Sequence, residues 1–171
     1  MNIRRYQNRD FNDLACLYKA FFNEMREWQG WGQLKLDEKE AVETAKESLE
    51  ENSWVFVAED SGKLVGFARV QLWDGAYFVR EVFVAKSFRR KGVGSKLLAK
   101  CEDFVRRRGE TSIYLSVEPK HSASLNFLIH NGYDTLNMLE LRKDFVQTDF
   151  LERQGEVEIL GHKLRLLKRK I

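Results

Sequence analysis

The sequence has few of the residues that build disulfide-rich, metal-binding or membrane-spanning proteins. Its 171 residues include one proline, two cysteines and three histidines. Cys16 and Cys101 are isolated, so neither a disulfide framework nor a zinc site is predicted. No apolar run approaches the roughly twenty residues that cross a bilayer, and the first residues lack the apolar stretch of a secretory signal. These absences predict a cytoplasmic protein that does not span a membrane.

The composition fits one globular domain over residues 1–171. Apolar residues make up 43% of the chain and aromatic residues 12%, which is enough to bury a sizeable core. No internal repeat, low-complexity tract or Gly/Ser/Pro-rich linker divides the chain.

The net charge is only +3, but the charges are unevenly distributed along the chain. Acidic residues dominate residues 36–51, basic residues dominate 86–108, and from Gly161 onward every charged residue is basic. A basic centre predicts an anionic ligand, because positive potential concentrates anions locally. Both a polyphosphate cofactor and nucleic acid fit this description.

Hydrophobic periodicity predicts alternating strands and helices. This order predicts a mixed α+β domain with one sheet covered by helices. The predicted strands are Ile3–Tyr6, Trp54–Glu59, Leu64–Leu72, Tyr77–Val84, Ser112–Val117, Thr135–Leu141 and a terminal hairpin of Val157–Leu160 and Lys163–Leu167 around a Gly161-His162 loop. The predicted helices start at Asp10, at Asp37 (to Glu51), at Val93 (to about Arg108) and at Ser122 or Ser124 (to Asn131-Gly132).

A phosphate cradle is predicted where the strand ending at Val84 leads into the helix that begins near Val93. The first turn of a helix has unpaired N–H groups and a partial positive charge, so it stabilises an anion. Gly92 and Gly94 let the backbone approach that anion closely. Three consecutive basic residues, Arg89, Arg90 and Lys91, precede the glycines.

Two common phosphate motifs do not match this segment. A dinucleotide fingerprint needs a third glycine where Leu97 stands, and a P-loop needs a Gly-Lys-Ser/Thr run that the chain lacks.

The pattern R-x-x-G-x-G, formed by Arg89, Gly92 and Gly94 between a strand and a helix, resembles the acetyl-CoA motif of the GNAT acetyltransferase superfamily. The resemblance extends from about Leu64 to Tyr133, where a short helix ends in His130-Asn131-Gly132 before an aromatic residue, and it does not cover the tail from about 145 to 171. It implies a mixed, largely antiparallel sheet of about seven strands with about four helices.

The resemblance also implies where acetyl-CoA binds. In such proteins the strands corresponding to Tyr77–Val84 and Ser112–Val117 splay apart and hold the cofactor between them. The backbone of Val82, Phe83 and Val84 would pair with the pantetheine arm, and one N–H group there would polarise the thioester carbonyl. The pyrophosphate would be held by the segment Arg89, Arg90, Lys91, Gly92, Val93, Gly94 and Ser95.

The catalytic positions depart from the family pattern. The tyrosine that relatives use to protonate the leaving thiolate corresponds to Leu128, a common asparagine to His121 and a glutamate to Ser116. A bound water or Tyr133 would then have to act as the acid. Glu81 is the predicted base, because it lies beside the cofactor strand and some relatives have an acid there. The reserve candidates are Asp74 and Glu118.

The predicted activity is direct transfer of an acetyl group from acetyl-CoA to a primary amine, on a small molecule, a polyamine-like compound, or a protein N-terminus or lysine. Trp28, Trp31 and Trp73 could line the acceptor pocket or belong to the core. Two alternatives stay open: a catalytically weak CoA-binding sensor or subunit, and a basic nucleic-acid-associated protein. The second is disfavoured because the basic tail lacks interleaved aromatic residues. The terminal hairpin could complete its own sheet or that of a second copy, so a homodimer also stays open.

Overall fold

The computed structural model describes residues 1–30, 34–119, 121–145 and 151–169. In these ranges the strands are β1 (Asn2–Arg5), β2 (Ser53–Asp60), β3 (Lys63–Trp73), β4 (Ala76–Val84), β5 (Tyr114–Leu115), β6 (Leu151–Ile159) and β7 (His162–Arg169). The helices are α1 (Phe11–Trp28), α2 (Glu38–Glu47), α3 (Val93–Arg106) and α4 (Ser122–His130), with 3-10 turns at Asn8–Asp10 and Lys86–Phe88. No helix in the described ranges is both long enough and apolar enough to cross a membrane.

The main sheet is mixed and largely antiparallel, as the sequence predicted. Its order is β1-β2-β3-β4-β5, and β4–β5 is its parallel pair. The predicted seven-stranded sheet is wrong in detail, because β6 and β7 form a separate two-stranded sheet.

One predicted strand is absent from the described structure. Residues 135–141 form neither helix nor ladder, and Leu136 and Met138 are 65% and 81% exposed. An alternating apolar pattern favours a strand only where a neighbouring strand and a covered face are available, and this segment has neither among the described residues.

The chain divides into two compact units, and the prediction of one domain over 1–171 stays a prediction. The first unit comprises residues 1–25 and 34–116, and the second comprises 26–33 and 117–171. The first contains the five-stranded sheet with α2, α3 and most of α1, whereas the second contains α4 and the β6–β7 hairpin.

In the first unit the two faces of the sheet bury different helices. On one face, Tyr18 of α1 packs on Phe67 of β3 with ring centroids 4.3 Å apart. On the other, Phe104 of α3 packs on Trp54 and Tyr77, with centroid distances of 4.9 and 6.3 Å. Each helix presents an apolar stripe with polar residues opposite, so burial of these stripes fixes the layers.

A β-bulge in β4 changes which face its side chains occupy. Arg69 of β3 pairs with Glu81 but Val70 pairs with Val79, so Arg80 is an extra residue. Before the bulge Tyr77 faces α3, and strict alternation would keep Glu81 on that face too. The inserted residue instead turns Glu81 toward α1 and α2.

An ion pair fixes the start of α1 against the sheet. The guanidinium of Arg4 in β1 donates to both carboxylate oxygens of Asp10 at 2.6 and 2.8 Å and to Glu59 of β2 at 2.8 Å. Asp10 is only 6% exposed, and the hydrogen bonds from Arg4 lower its pKa. This anchor sets the position of the helix that carries Tyr18.

In the second unit, the β6–β7 turn lies one residue earlier than predicted. The loop residues are Leu160 and Gly161, with φ of 51° and 77°, rather than Gly161 and His162. Positive φ at both central positions is the geometry of the tight turns that match strand twist.

We predict that Gly66→Ala destabilises the first unit. A Cβ at this position would lie 2.6 Å from the carbonyl oxygen of Phe83, which is backbone and cannot rotate away. The expected loss is about 2 kcal/mol in the free energy of unfolding, measured with urea. Gly155→Ala is the control, because its Cβ would meet nothing within 4 Å. Equal stability of the two variants would contradict the assigned contact.

Candidate functional site

A gap opens in the sheet between β4 and β5. The two strands pair only at Phe78–Tyr114 and Val79–Leu115, although β4 continues to Val84. In the described part of the chain, no strand pairs with that edge of β4 beyond Val79.

The register shows which backbone groups of β4 face this gap. Ala85 donates its N–H to the Val65 carbonyl at 2.9 Å, and Phe83 stands opposite Phe67. Because bonding alternates along antiparallel strands, the backbone of Phe83 faces β3 and that of Val82 and Val84 faces the gap. The three residues predicted to bind the cofactor therefore differ in their available backbone groups.

The N-terminus of α3 follows shortly after β4 and has unpaired N–H groups. The first helical hydrogen bond runs from Lys96 N–H to the Gly92 carbonyl at 3.1 Å, so Val93, Gly94 and Ser95 have no intrahelical acceptor. Gly92 has a φ of 74°, and a Cβ placed there would meet nothing within 4 Å. The N-cap residue thus has left-handed backbone angles and open space beside it, which fits the predicted phosphate cradle.

The basic residues before the glycines have different environments. Arg89 donates to the Val84 carbonyl at 2.7 Å and to both carboxylate oxygens of Glu24 in α1 at 2.7 and 2.8 Å. Lys91 donates to the Ser87 carbonyl at 2.9 Å, and Arg90 is exposed. Arg89 thus ties the loop to β4 and α1, while the other two leave their charge near solvent.

Glu81, the predicted base, forms a half-buried ion pair with Arg69 on the neighbouring strand. Its two oxygens accept from Nε and Nη2 at 2.5 and 2.6 Å. Burial works against the charge of Arg69, but the hydrogen bonds and charge of Glu81 outweigh it and raise the pKa of Arg69. The pair thus holds the guanidinium of Arg69 in its charged form.

The Arg69–Glu81 pair lies in an open pocket of about 480 Å³ on the α1–α2 face of the sheet. The pocket contains three carboxylates and two guanidinium groups, and it includes residues at the C-terminal end of α2. A helix C-terminus carries a partial negative charge, so this end of the pocket favours a cation. The lining residues are Tyr18, Phe22, Thr44, Glu47, Ser48, Glu50, Arg69, Gln71, Arg80 and Glu81.

Tyr18 is a residue of this pocket that the sequence did not single out. Its side chain is 1% exposed, and its hydroxyl has no hydrogen-bond partner among the described residues. On the helical stripe of α1 it is indistinguishable from a core aromatic residue. Arg69 was missed as well, although a single arginine inside the apolar run of β3 was a usable signal.

The reserve acids lie in different places. Asp74 sits exposed in the β3–β4 turn with a φ of 49°, and in the second unit Glu118 accepts from Gln29 at 2.7 Å.

Of the tryptophans, Trp73 is 58% exposed, Trp28 packs on His121 with ring centroids 4.5 Å apart, and Trp31 lies outside the described residues. In the second unit Leu128 is buried in α4.

Solved structures share this fold. The chain superposes on an integron cassette protein from the Vibrio cholerae mobile metagenome with a TM-score of 0.71 and 16% identity, covering 84% of this chain and 91% of the other. It superposes on the aminoglycoside acetyltransferase AAC(6')-Iy, in complex with a bisubstrate analogue, with a TM-score of 0.68 and 17% identity, covering 85% and 98%.

Sequence comparison gives the family. YhfO of Bacillus subtilis strain 168, described as an uncharacterised N-acetyltransferase, is 26% identical over 144 residues, or 78% of this chain and 90% of its own length. The model of the acetyltransferase (GNAT) family matches residues 17–133, which include the gap, the α3 N-terminus and the Arg69–Glu81 pair. The chain therefore belongs to the GNAT family, as its sequence predicted, and is an acetyl-CoA-dependent N-acetyltransferase.

Proposed function

We propose that the enzyme acetylates a primary amine held beside Glu81, with acetyl-CoA lying in the gap between β4 and β5. The observation that carries the proposal is the continuity of three features in the first unit. The unpaired edge of β4 and the charged pocket around Glu81 share the C-terminal half of β4, and the loop that leads into α3 is tied to Val84 by Arg89.

The residues around the gap fit the cofactor. The N–H groups of Val93, Gly94 and Ser95 would bind the pyrophosphate, because they lack helical acceptors and the helix dipole favours an anion. Arg90 and Lys91 would add charge from the solvent side. Arg89 would position the loop before α3, since its guanidinium bonds to the Val84 carbonyl and to Glu24.

The free backbone groups of Val82 and Val84 suit the rest of the cofactor. Pairing with them would extend the sheet as a false strand, while the side chain of Phe83 keeps β4 in the core. The carbonyl of Val84 already accepts from Arg89. The groups that remain to bond the cofactor are therefore the N–H of Val84 and both backbone groups of Val82. An N–H group aimed at the thioester oxygen would stabilise negative charge that develops there.

In the proposed reaction Glu81 takes a proton from the ammonium group of the acceptor, directly or through one water. Acetyl-CoA supplies the acetyl group as a thioester: the new N–C bond forms, the C–S bond breaks and CoA leaves as a thiol. The amine nitrogen gives up its second proton as the amide forms, and the sulfur gains one. Arg69 fixes the orientation of the Glu81 carboxylate across the β3–β4 ladder.

The acceptor is proposed to be a small amine. The pocket volume of about 480 Å³ suits a small molecule, and its three carboxylates outnumber its two guanidinium groups. The solved relative with the acetylneamine bisubstrate analogue gives one amine to include in a panel. We would test neamine, butylamine, putrescine, γ-aminobutyrate and a lysine peptide, scored by release of free thiol.

We predict that Gly92→Ala weakens acetyl-CoA binding at least tenfold, because its Cβ would occupy the open space over the cradle. The measurement is calorimetric titration at two salt concentrations. Gly109→Ala is the matched control at the other end of α3: its φ is 84° and its Cβ would also meet nothing within 4 Å. Both variants should lose about 1 kcal/mol of stability, and only Gly92→Ala should lose affinity. Equal affinity in both would place the pyrophosphate elsewhere.

We predict that Glu81→Gln lowers kcat by about 100-fold and flattens the acidic limb of the pH–rate profile, with unchanged acetyl-CoA affinity. Glutamine keeps the shape and one acceptor for Arg69 but cannot take a proton. The control is Glu59→Gln, which alters a comparable half-buried arginine–glutamate pair on β1 and β2. Full turnover by Glu81→Gln across the pH range would remove Glu81 from the reaction.

A further inference from the structure

We propose that Tyr18 is the positioning residue that binds the ammonium group of the acceptor and thereby selects cationic amines. The inference rests on the proposed function, since it assigns a role within the same pocket. Tyr18 lines the pocket, and its buried hydroxyl has no hydrogen-bond partner among the described residues. Neither the cofactor site nor the proposed base accounts for this hydroxyl.

Packing fixes the direction of this hydroxyl. The ring of Tyr18 lies 4.3 Å from that of Phe67, centroid to centroid, and 6.1 Å from that of Phe22 one turn along α1. Leu14 and Val57 belong to the same core cluster and are fully buried. A ring held on several sides cannot swing its hydroxyl out to water, so the group stays at the pocket wall.

A buried hydroxyl without a partner is costly, because it has lost its bonds to water and gained none in return. A phenylalanine would fill the same space without that cost. Native structures satisfy most buried polar groups, and the exceptions call for a bound molecule or a function. Tyr18 lines the pocket together with Ser48 and Glu81, so a molecule bound there can supply the missing partner.

The surroundings favour a partner that donates hydrogen bonds and carries positive charge. Burial, and then the negative charge of Glu81, raises the pKa of Tyr18, so the phenol is neutral and its oxygen keeps lone pairs to accept an N–H. Ser48 and Glu81 lie close enough to the hydroxyl to shift its pKa, but neither reaches the distance and angle of a normal hydrogen bond with it. Glu47 and Glu50 add two exposed carboxylates at the end of α2.

This arrangement gives two acceptors for one nitrogen. An ammonium group between Tyr18 and Glu81 would donate one N–H to the phenol oxygen and another to the carboxylate. When Glu81 takes the proton, the phenol still holds the neutral amine in place. An acceptor that also carries a carboxylate would be repelled by Glu47 and Glu50, so γ-aminobutyrate should bind more weakly than butylamine or putrescine.

The test is Tyr18→Phe, which removes only the hydroxyl. We expect KM for amines of the panel to rise about 10- to 100-fold, with kcat within about threefold of wild type and unchanged acetyl-CoA affinity. The melting temperature should stay the same or rise, because an unpaired buried hydroxyl has been removed. Tyr6→Phe is the control: Tyr6 packs at the edge of the same core cluster but does not line the pocket.

A fall of several degrees in melting temperature with unchanged KM would overturn the proposal, since it would show a structural hydrogen bond. If no panel amine is turned over, a thermal-shift experiment replaces the kinetic one. It compares the melting temperature of the wild type in butylammonium chloride with that in sodium chloride at equal ionic strength. Protection lost in Tyr18→Phe supports the proposal, and equal or absent protection overturns it. Failure of the proposed function appears separately, as absent acetyl-CoA binding in the wild type.

Discussion

A strand that loses its neighbour presents a row of N–H and C=O groups that must bond to something else. β4 reaches this state after Val79, because β5 ends at Leu115, and this part of β4 lies inside a folded unit rather than at a chain end. Edge strands of this kind recruit further strands unless they are blocked. Here the bulge at Arg80 and the turn into α3 confine the unpaired edge to a few residues, so a ligand of limited length can cover it.

The same bulge links the two halves of the site. By inserting one residue it turns Glu81 toward the face that α1 and α2 cover, while the backbone of Val82 stays at the gap. The unpaired edge of β4 and the pocket around Glu81, which we propose for the cofactor and the acceptor, are therefore adjacent along one strand. Substrates that approach from separate directions can meet there, which suits direct transfer without an enzyme-bound acetyl group.

Three arginine side chains stabilise this arrangement through ion pairs with carboxylates. Arg4 anchors α1 through Asp10, Arg69 orients Glu81, and Arg89 connects the loop before α3 to Glu24. Each is at least partly buried and forms a pair of hydrogen bonds with one carboxylate, a geometry that fixes direction as well as distance. The structure thus divides the basic run that the sequence emphasised: one residue supports the fold and two face solvent.

The local signals in the sequence were enough for most of the fold and for the helix N-terminus after Gly92, whereas the phosphate cradle stays a prediction. Gly92 has the positive φ that favours glycine, with open space at its Cβ position, and α3 begins directly after it. The sequence of Thr135–Leu141 could not show that this segment has no neighbouring strand among the described residues, because tertiary structure decides which strands can pair. The pairing of Arg69 with Glu81 and the place of Tyr18 beside them could not be predicted, since cross-strand register and a one-residue bulge decide which side chains share a pocket.

Residue-resolved hydrogen exchange with and without acetyl-CoA tests the central claim most directly. The account predicts slower exchange at the amides of Val93, Gly94 and Ser95 and at those of Val82 and Val84, with little change at Phe83, which already faces β3. It would be contradicted if acetyl-CoA bound and protected other amides instead, such as those beside the basic residues at the C-terminal end of α3. The gap in the sheet would then have no part in binding the cofactor.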